Sequence, residues 1–164
     1  MEKLPIILGE KLRAIKATIS TAESCTGGLI GHLITNVAGS SDYFERGVIT
    51  YSNLAKHELI GVDSRLIEKH GAVSEQVAKA MAEGIKNNAK TTIGIGVTGI
   101  AGPTGGSKEK PIGTVFIGVA TPFETKVKRF QFKGKRIDIK FASAQKALEM
   151  AIEAIEEISI RGKK

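Results

Sequence analysis

The stretch TTIGIGVTGIAGPTGGS, residues 91–107, joins two unlike halves. Residues 91–99 are a nearly continuous apolar run, the pattern of a strand buried on both faces. Residues 99–107 hold Gly99, Gly102, Gly105 and Gly106 around Pro103, a loop at the carboxyl end of that strand. Loops so placed in α/β sheets bind phosphates and nucleotides. Working outward, GTVFIGVATPF (113–123) is a second buried run, and TKVKRFQF (125–132) alternates like an edge or half-exposed strand. Upstream, TISTAES (18–24) reads as a strand entering a tight turn. Gly27 and Gly28 then open an apolar helix, and residues 44–51 form another strand. Helical spacing covers 5–17, and NLAKHELIGV and SRLIEKH read as two short helices. Ser74 caps a further helix, and a long C-terminal helix carries Ile137, Phe141, Ala144, Leu148, Ala151, Ile155 and Ile158 in one stripe. The expected fold is α/β: a single layered domain over residues 1–164, with a mixed β-sheet flanked by helices.

Composition excludes several classes. The 164 residues are 41% hydrophobic and 25% charged, which is globular rather than disordered. One cysteine, Cys25, forms neither an internal disulfide nor a thiolate zinc site. No apolar run approaches the ~18 residues of a membrane helix, and the N-terminal segment lacks a signal-peptide pattern. A reduced cytoplasmic setting and no membrane partner are expected. The net charge of +7 is local: residues 126–140 hold seven basic side chains and one acidic. Such a surplus suits nucleic acid, a membrane surface or a small anionic ligand alike. The low aromatic content of 5% gives poor base-stacking platforms, so no nucleic-acid partner is expected.

Three segments carry chemistry. In AESCTGG (22–28) a strand-to-helix turn displays Ser24 and aims free N–H groups at it. Ser24 reads either as a nucleophile or as a helix cap, and Cys25 as a small core residue. The second segment is the 99–107 loop, with the Thr98 hydroxyl pointing into the same region. Gly94-x-Gly96-x-x-Gly99 matches a dinucleotide fingerprint literally, but its glycines lie inside a strand and no helix follows. The third is TYSNLAK (50–56), with Asn53 as the expected cap and Lys56 in the first helical turn. A cation there opposes the helix dipole, so Lys56 is either a solvated surface lysine or a base. The histidines have no metal-binding spacing, and no metal or cofactor is expected.

These segments together, AESCTGGLIGHLITNVAGSSDYFERGVITYSN, GAVSEQVAKAMAEG, GVTGIAGPTGGS and the late GKR, resemble the CinA C-terminal domain family across nearly the whole chain. The resemblance implies hydrolysis of nicotinamide mononucleotide to nicotinic acid mononucleotide and ammonia, without a metal, by a homodimer. It implies that Ser24 is the nucleophile, Lys56 its activating partner and Arg136 the third catalytic-site residue, with a phosphate as its target. Thr26, Gly27, Gly28, Tyr51, Asn53, Thr98, Gly99, Ala101, Gly102 and Gly105 are implied as substrate-binding positions, with N–H groups near Gly27 and Gly28 holding the oxyanion. A second basic residue, arginine in the family pattern, is here Lys140. The resemblance covers only the C-terminal domain of longer CinA proteins, so functions of their N-terminal domain are not expected. The alternative is a CinA-type module that binds a nucleotide without turning it over.

Overall fold

The computed structural model describes residues 3–162. Five strands form one sheet in the order β2-β1-β3-β4-β5. β1 (Ile19–Glu23), β2 (Phe44–Ile49) and β3 (Ile93–Gly99) run parallel, while β4 (Thr114–Ala120) and β5 (Thr125–Gln131) continue the sheet antiparallel. The sheet is mixed, as expected. β1, β3 and β4 are almost wholly buried, and β5 alternates as an edge strand.

Helices cover both faces. α1 (Lys3–Ala14), α2 (Leu29–Thr35) and α6 (Arg136–Arg161) pack on one side, around Leu8, Leu12, Ile30, Ile34, Leu148 and Ile155. α3 (Asn53–Ile60), α4 (Ser64–His70) and α5 (Glu75–Ala89) lie on the other, around Ile60, Val77, Met81 and Ile85. α5 begins as expected, with the Ser74 hydroxyl accepting the Val77 N–H.

The glycines of the apparent fingerprint have a packing role. A Cβ on Gly94 would lie 2.3 Å from the Ala82 carbonyl oxygen, and one on Gly96 2.5 Å from the Ala82 nitrogen. One on Gly118, opposite Gly96 in β4, would meet the Ala78 carbonyl oxygen at 2.9 Å. The backbone of α5 thus lies directly on β3 and β4, with alanines on its inner face.

One expectation about the helices needs correction. The stripe on α6 does not hold in its first two turns: Ile137 and Phe141 are exposed, and burial begins at Ile139 and continues through Ser143, Ala144, Ala147 and Leu148. A seven-residue spacing drifts around a 3.6-residue helix, so one end of such a stripe leaves the core. The basic cluster is also less free than its composition suggests. Lys126 pairs with Glu157 and Glu124, and Lys128 with Glu153.

The parallel strands bring their carboxyl ends together. β1 leads through α2 to β2 on one side, and β2 leads through α3–α5 to β3 on the other. The chain therefore reverses direction across the sheet at the β1–β3 boundary. In open α/β sheets this switch point opens a crevice outside the strand ends.

Candidate active site

Three turns meet at that crevice. Ser24 directly follows β1, Thr50 and Tyr51 follow β2, and the 100–113 loop follows β3. Backbone bonds hold the strand ends in register: the Ser24 N–H donates to the Val97 carbonyl at 3.0 Å, and the Thr50 N–H to the Glu23 carbonyl at 2.9 Å.

Lys56 enters from α3. Ser52, not Asn53, caps this helix: its hydroxyl accepts the Ala55 N–H at 3.0 Å, and Asn53 is the first helical residue. Serine at the cap leaves the Asn53 side chain free to line the crevice. Helical side chains lean toward the helix N-terminus, so the ammonium of Lys56 reaches back over the turn before α3. It is no surface lysine, being only 1% exposed. Its Nζ lies 3.1 Å from Ser24 Oγ, 2.9 Å from the Thr50 carbonyl oxygen and 3.2 Å from the Tyr51 carbonyl oxygen.

That geometry serves both protonation states. Two N–H bonds go to the two carbonyls; toward Ser24 Oγ the charged amine donates its third N–H, and the neutral amine turns its lone pair. Burial pushes the Lys56 amine below its ordinary 10.5, because the charged form loses its hydration. Burial is the leading cause of this shift, and Arg136 is not among its causes. Cys25, beside the pair, goes the other way: burial pushes its thiol up to about 12, so it stays protonated. Cys25 is thus a small core residue rather than a competing nucleophile.

Arg136 opens α6 and crosses the mouth of the crevice. It donates to the Gly102 carbonyl at 2.7 Å and to the Tyr51 hydroxyl at 3.0 Å. A guanidinium has five N–H donors, so three remain for a ligand. The crevice holds about 330 Å³ of space that water can enter, and it opens to solvent. Ser24, Lys56, Tyr51, Asn53, Thr98 and Arg136 all line it, together with Gly99, Ala101, Gly102 and Gly105 of the loop.

Not every expected residue arrives. Thr98 lines the crevice, but its hydroxyl proton goes to the Ala72 carbonyl at 2.9 Å, which leaves only its lone pairs for a ligand. Thr26 is fully buried and does not reach the crevice wall. The Gly27 N–H is spent on the Ser24 carbonyl at 3.1 Å, so it holds no oxyanion. Gly27 and Gly28 face the Lys140 amine and the Ile49 side chain instead, both with positive φ. Lys140, one helical turn after Arg136, therefore lies over the 25–28 turn rather than beside the loop.

The structure adds wall residues that the sequence did not signal. They are Ala72 and Val73, before α5; with Ile100 of the expected loop they give the crevice an apolar side, and Thr104 of that loop lies on its rim. Ala72 and Val73 fall within GAVSEQVAKAMAEG, but small apolar side chains point to no chemistry, so only their position in the fold identifies them as wall. Among the described residues no group of His, Cys, Asp or Glu is arranged to hold a metal, and no helix is long and apolar enough to cross a membrane.

Comparison with known proteins places this geometry in context. The profile of the CinA C-terminal domain matches residues 1–155. CinA-like proteins of Syntrophobacter fumaroxidans and Salinibacter ruber are 51% and 52% identical over 147 and 148 residues, 90% of this chain in both cases. The chain spans about a third of the length of these curated relatives, 35% and 36%. The crystal structure of the competence/damage inducible protein CihA from Agrobacterium tumefaciens is 38% identical, covers 94% of each chain and superposes with a TM-score of 0.91. A CinA superfamily protein from Klebsiella pneumoniae gives the same TM-score at 29% identity, over 95% of this chain and 98% of its own.

Proposed function

The chain belongs to the CinA C-terminal domain family, and we propose that its crevice hydrolyses the carboxamide of a pyridine mononucleotide, nicotinamide mononucleotide, to the acid and ammonia. The observation that carries this reading is the buried Lys56 amine 3.1 Å from Ser24 Oγ, at the floor of a crevice with a free-handed arginine at its mouth.

The steps follow from the groups present. Neutral Lys56 takes the Ser24 proton as Oγ attacks the carboxamide carbon. The oxyanion is assigned to the backbone N–H of Cys25, which follows Ser24 and lines the crevice, whereas Thr26, Gly27 and Gly28 do not. The Lys56 ammonium returns its proton to the amide nitrogen, the C–N bond breaks and ammonia leaves. Water, deprotonated by Lys56, then cleaves the acyl–Ser24 ester and restores the hydroxyl. The apolar side at Ala72, Val73 and Ile100 suits the flat ring, and Arg136 with the 99–105 loop suits the phosphate.

Two predictions arise here. The rate of ammonia release from nicotinamide mononucleotide is expected to rise with pH while Lys56 loses its proton and to level off below the ordinary lysine value of 10.5. The sign is that of a depressed lysine: the folded state prefers the neutral form, so fold stability also rises with pH between the depressed value and 10.5. A rate still climbing through 10.5 would rule out a buried base. In addition, Arg136→Lys removes the planar fork that suits a phosphate. Steady-state kinetics should show KM for the mononucleotide raised about tenfold, as for loss of one charge-assisted hydrogen bond of ~1.5 kcal/mol. Hydrolysis of the unphosphorylated nucleoside should change little.

A further inference from the structure

Beside the catalytic pair lies a buried acid that the proposed steps do not use. Glu23, the last residue of β1, is 2% exposed, and it is the only carboxylate among the buried polar side chains of the described residues. A buried carboxylate is costly unless its oxygens are satisfied. None of the ion pairs among the described residues includes it. Both its oxygens go to backbone instead: Oε1 accepts the Ile30 N–H at 2.9 Å and Oε2 the Gly31 N–H at 3.0 Å.

These are the second and third residues of α2, whose N–H groups a serine or aspartate at the cap would ordinarily satisfy. Here the cap is Gly28, at φ 100°, and it has no side chain to offer. The backbone conformation that lets the chain turn from β1 into α2 removes the local cap, and Glu23 supplies it from the strand. The same residue anchors the other half of the site, because its carbonyl accepts the Thr50 N–H, and the Thr50 carbonyl accepts Lys56. Ser24 and Lys56 are 32 positions apart, and both of their turns are tied to one residue.

We infer that Glu23 is the positioning residue of this site: its carboxylate clamps the start of α2 to the end of β1 and so holds the arc that sets Ser24 against Lys56. It touches no substrate. The kinetic consequence rests on the amidase reading, whereas the structural one does not.

The test is Glu23→Gln, which keeps the length and one acceptor oxygen but turns an NH₂ toward the other N–H. The crystal structure of the variant is expected to show the Ser24–Gly28 arc displaced and the Ser24–Lys56 hydrogen bond lost, and the Ile30 and Gly31 amides should exchange faster with solvent. Turnover of nicotinamide mononucleotide per folded molecule should fall about 10²-fold, the usual cost of a misplacement near 1 Å, with KM held within about threefold. An acid that merely stabilised the fold would lower Tm and leave turnover per folded molecule unchanged, and that result overturns the inference. So does a fall in turnover with the arc and the Ser24–Lys56 contact intact. If the wild-type protein releases no ammonia, the amidase reading fails alone. The arc geometry and the two amides then decide: displacement supports the clamp, and an unmoved arc overturns it.

Discussion

Ser24→Ala is expected to lower ammonia release from nicotinamide mononucleotide by about 10³-fold or more, and Lys56→Ala by a similar factor. The double variant should be no worse than the poorer single one. Groups that act as one unit are strongly non-additive: without the hydroxyl the amine has nothing to activate, and without the amine the hydroxyl keeps its proton. The geometry makes this sharper than for an exposed pair. Lys56 Nζ has three neighbours within hydrogen-bond reach, and two of them are backbone carbonyls that cannot give up a proton. Ser24 is therefore the only proton donor it faces. Binding should survive in Ser24→Ala, because the apolar side of the crevice and Arg136 are untouched. Additive losses, or loss of binding in Ser24→Ala, would contradict a Ser24–Lys56 unit.

Gly96→Val is expected to be strongly damaging although it lies away from the crevice wall. Its first side-chain carbon alone would lie 2.5 Å from the Ala82 nitrogen, 2.7 Å from the Ala78 carbonyl oxygen and 2.8 Å from Met81 Cβ. Two of these neighbours are helix backbone, which cannot rotate aside as a side chain can. Either α5 lifts off β3 and β4, or the strand shifts. A loss of about 3 kcal/mol or more is expected, which for a chain of this size lowers Tm by roughly 6–12 °C. Thermal unfolding followed by circular dichroism checks it. A Tm within 2 °C of wild type would show that the layer spacing between α5 and the sheet is not set by these glycines.

Gly96 also shows where sequence reading succeeds and where it stops. The apolar run 91–99 reveals a buried strand because burial on both faces leaves no polar alternation, and the structure has β3 there. The same run contains a literal nucleotide fingerprint. Its strand position argues against that role, but only α5 lying on the strand shows what the glycines do. Ser24 and Lys56 were each legible as two-sided residues, cap or nucleophile and surface charge or base. Burial resolves Lys56, and burial is a property of the whole fold, not of seven residues around a helix start. The cap of α3 lies one position before the expected Asn53, because Ser52 and Asn53 are both good capping residues. The oxyanion role for Gly27 failed for a similar reason: a free N–H is predicted by turn type, but its acceptor, the Ser24 carbonyl, depends on how that turn closes. Glu23 carried the faintest signal, an acid ending an otherwise buried strand, ahead of a helix whose cap is glycine. The basic surplus divides likewise. Lys126 and Lys128 answer acids on α6, which no local window contains, while Arg136 keeps free donors at the crevice.

The decisive measurement quantifies both products from purified protein and nicotinamide mononucleotide, with Ser24→Ala as the blank. The wild-type chain should release ammonia and nicotinic acid mononucleotide in equal amounts over many turnovers, and the variant should release almost none. Saturable binding of the mononucleotide by the wild-type chain with no ammonia, or equal release by both proteins, would contradict hydrolysis at Ser24.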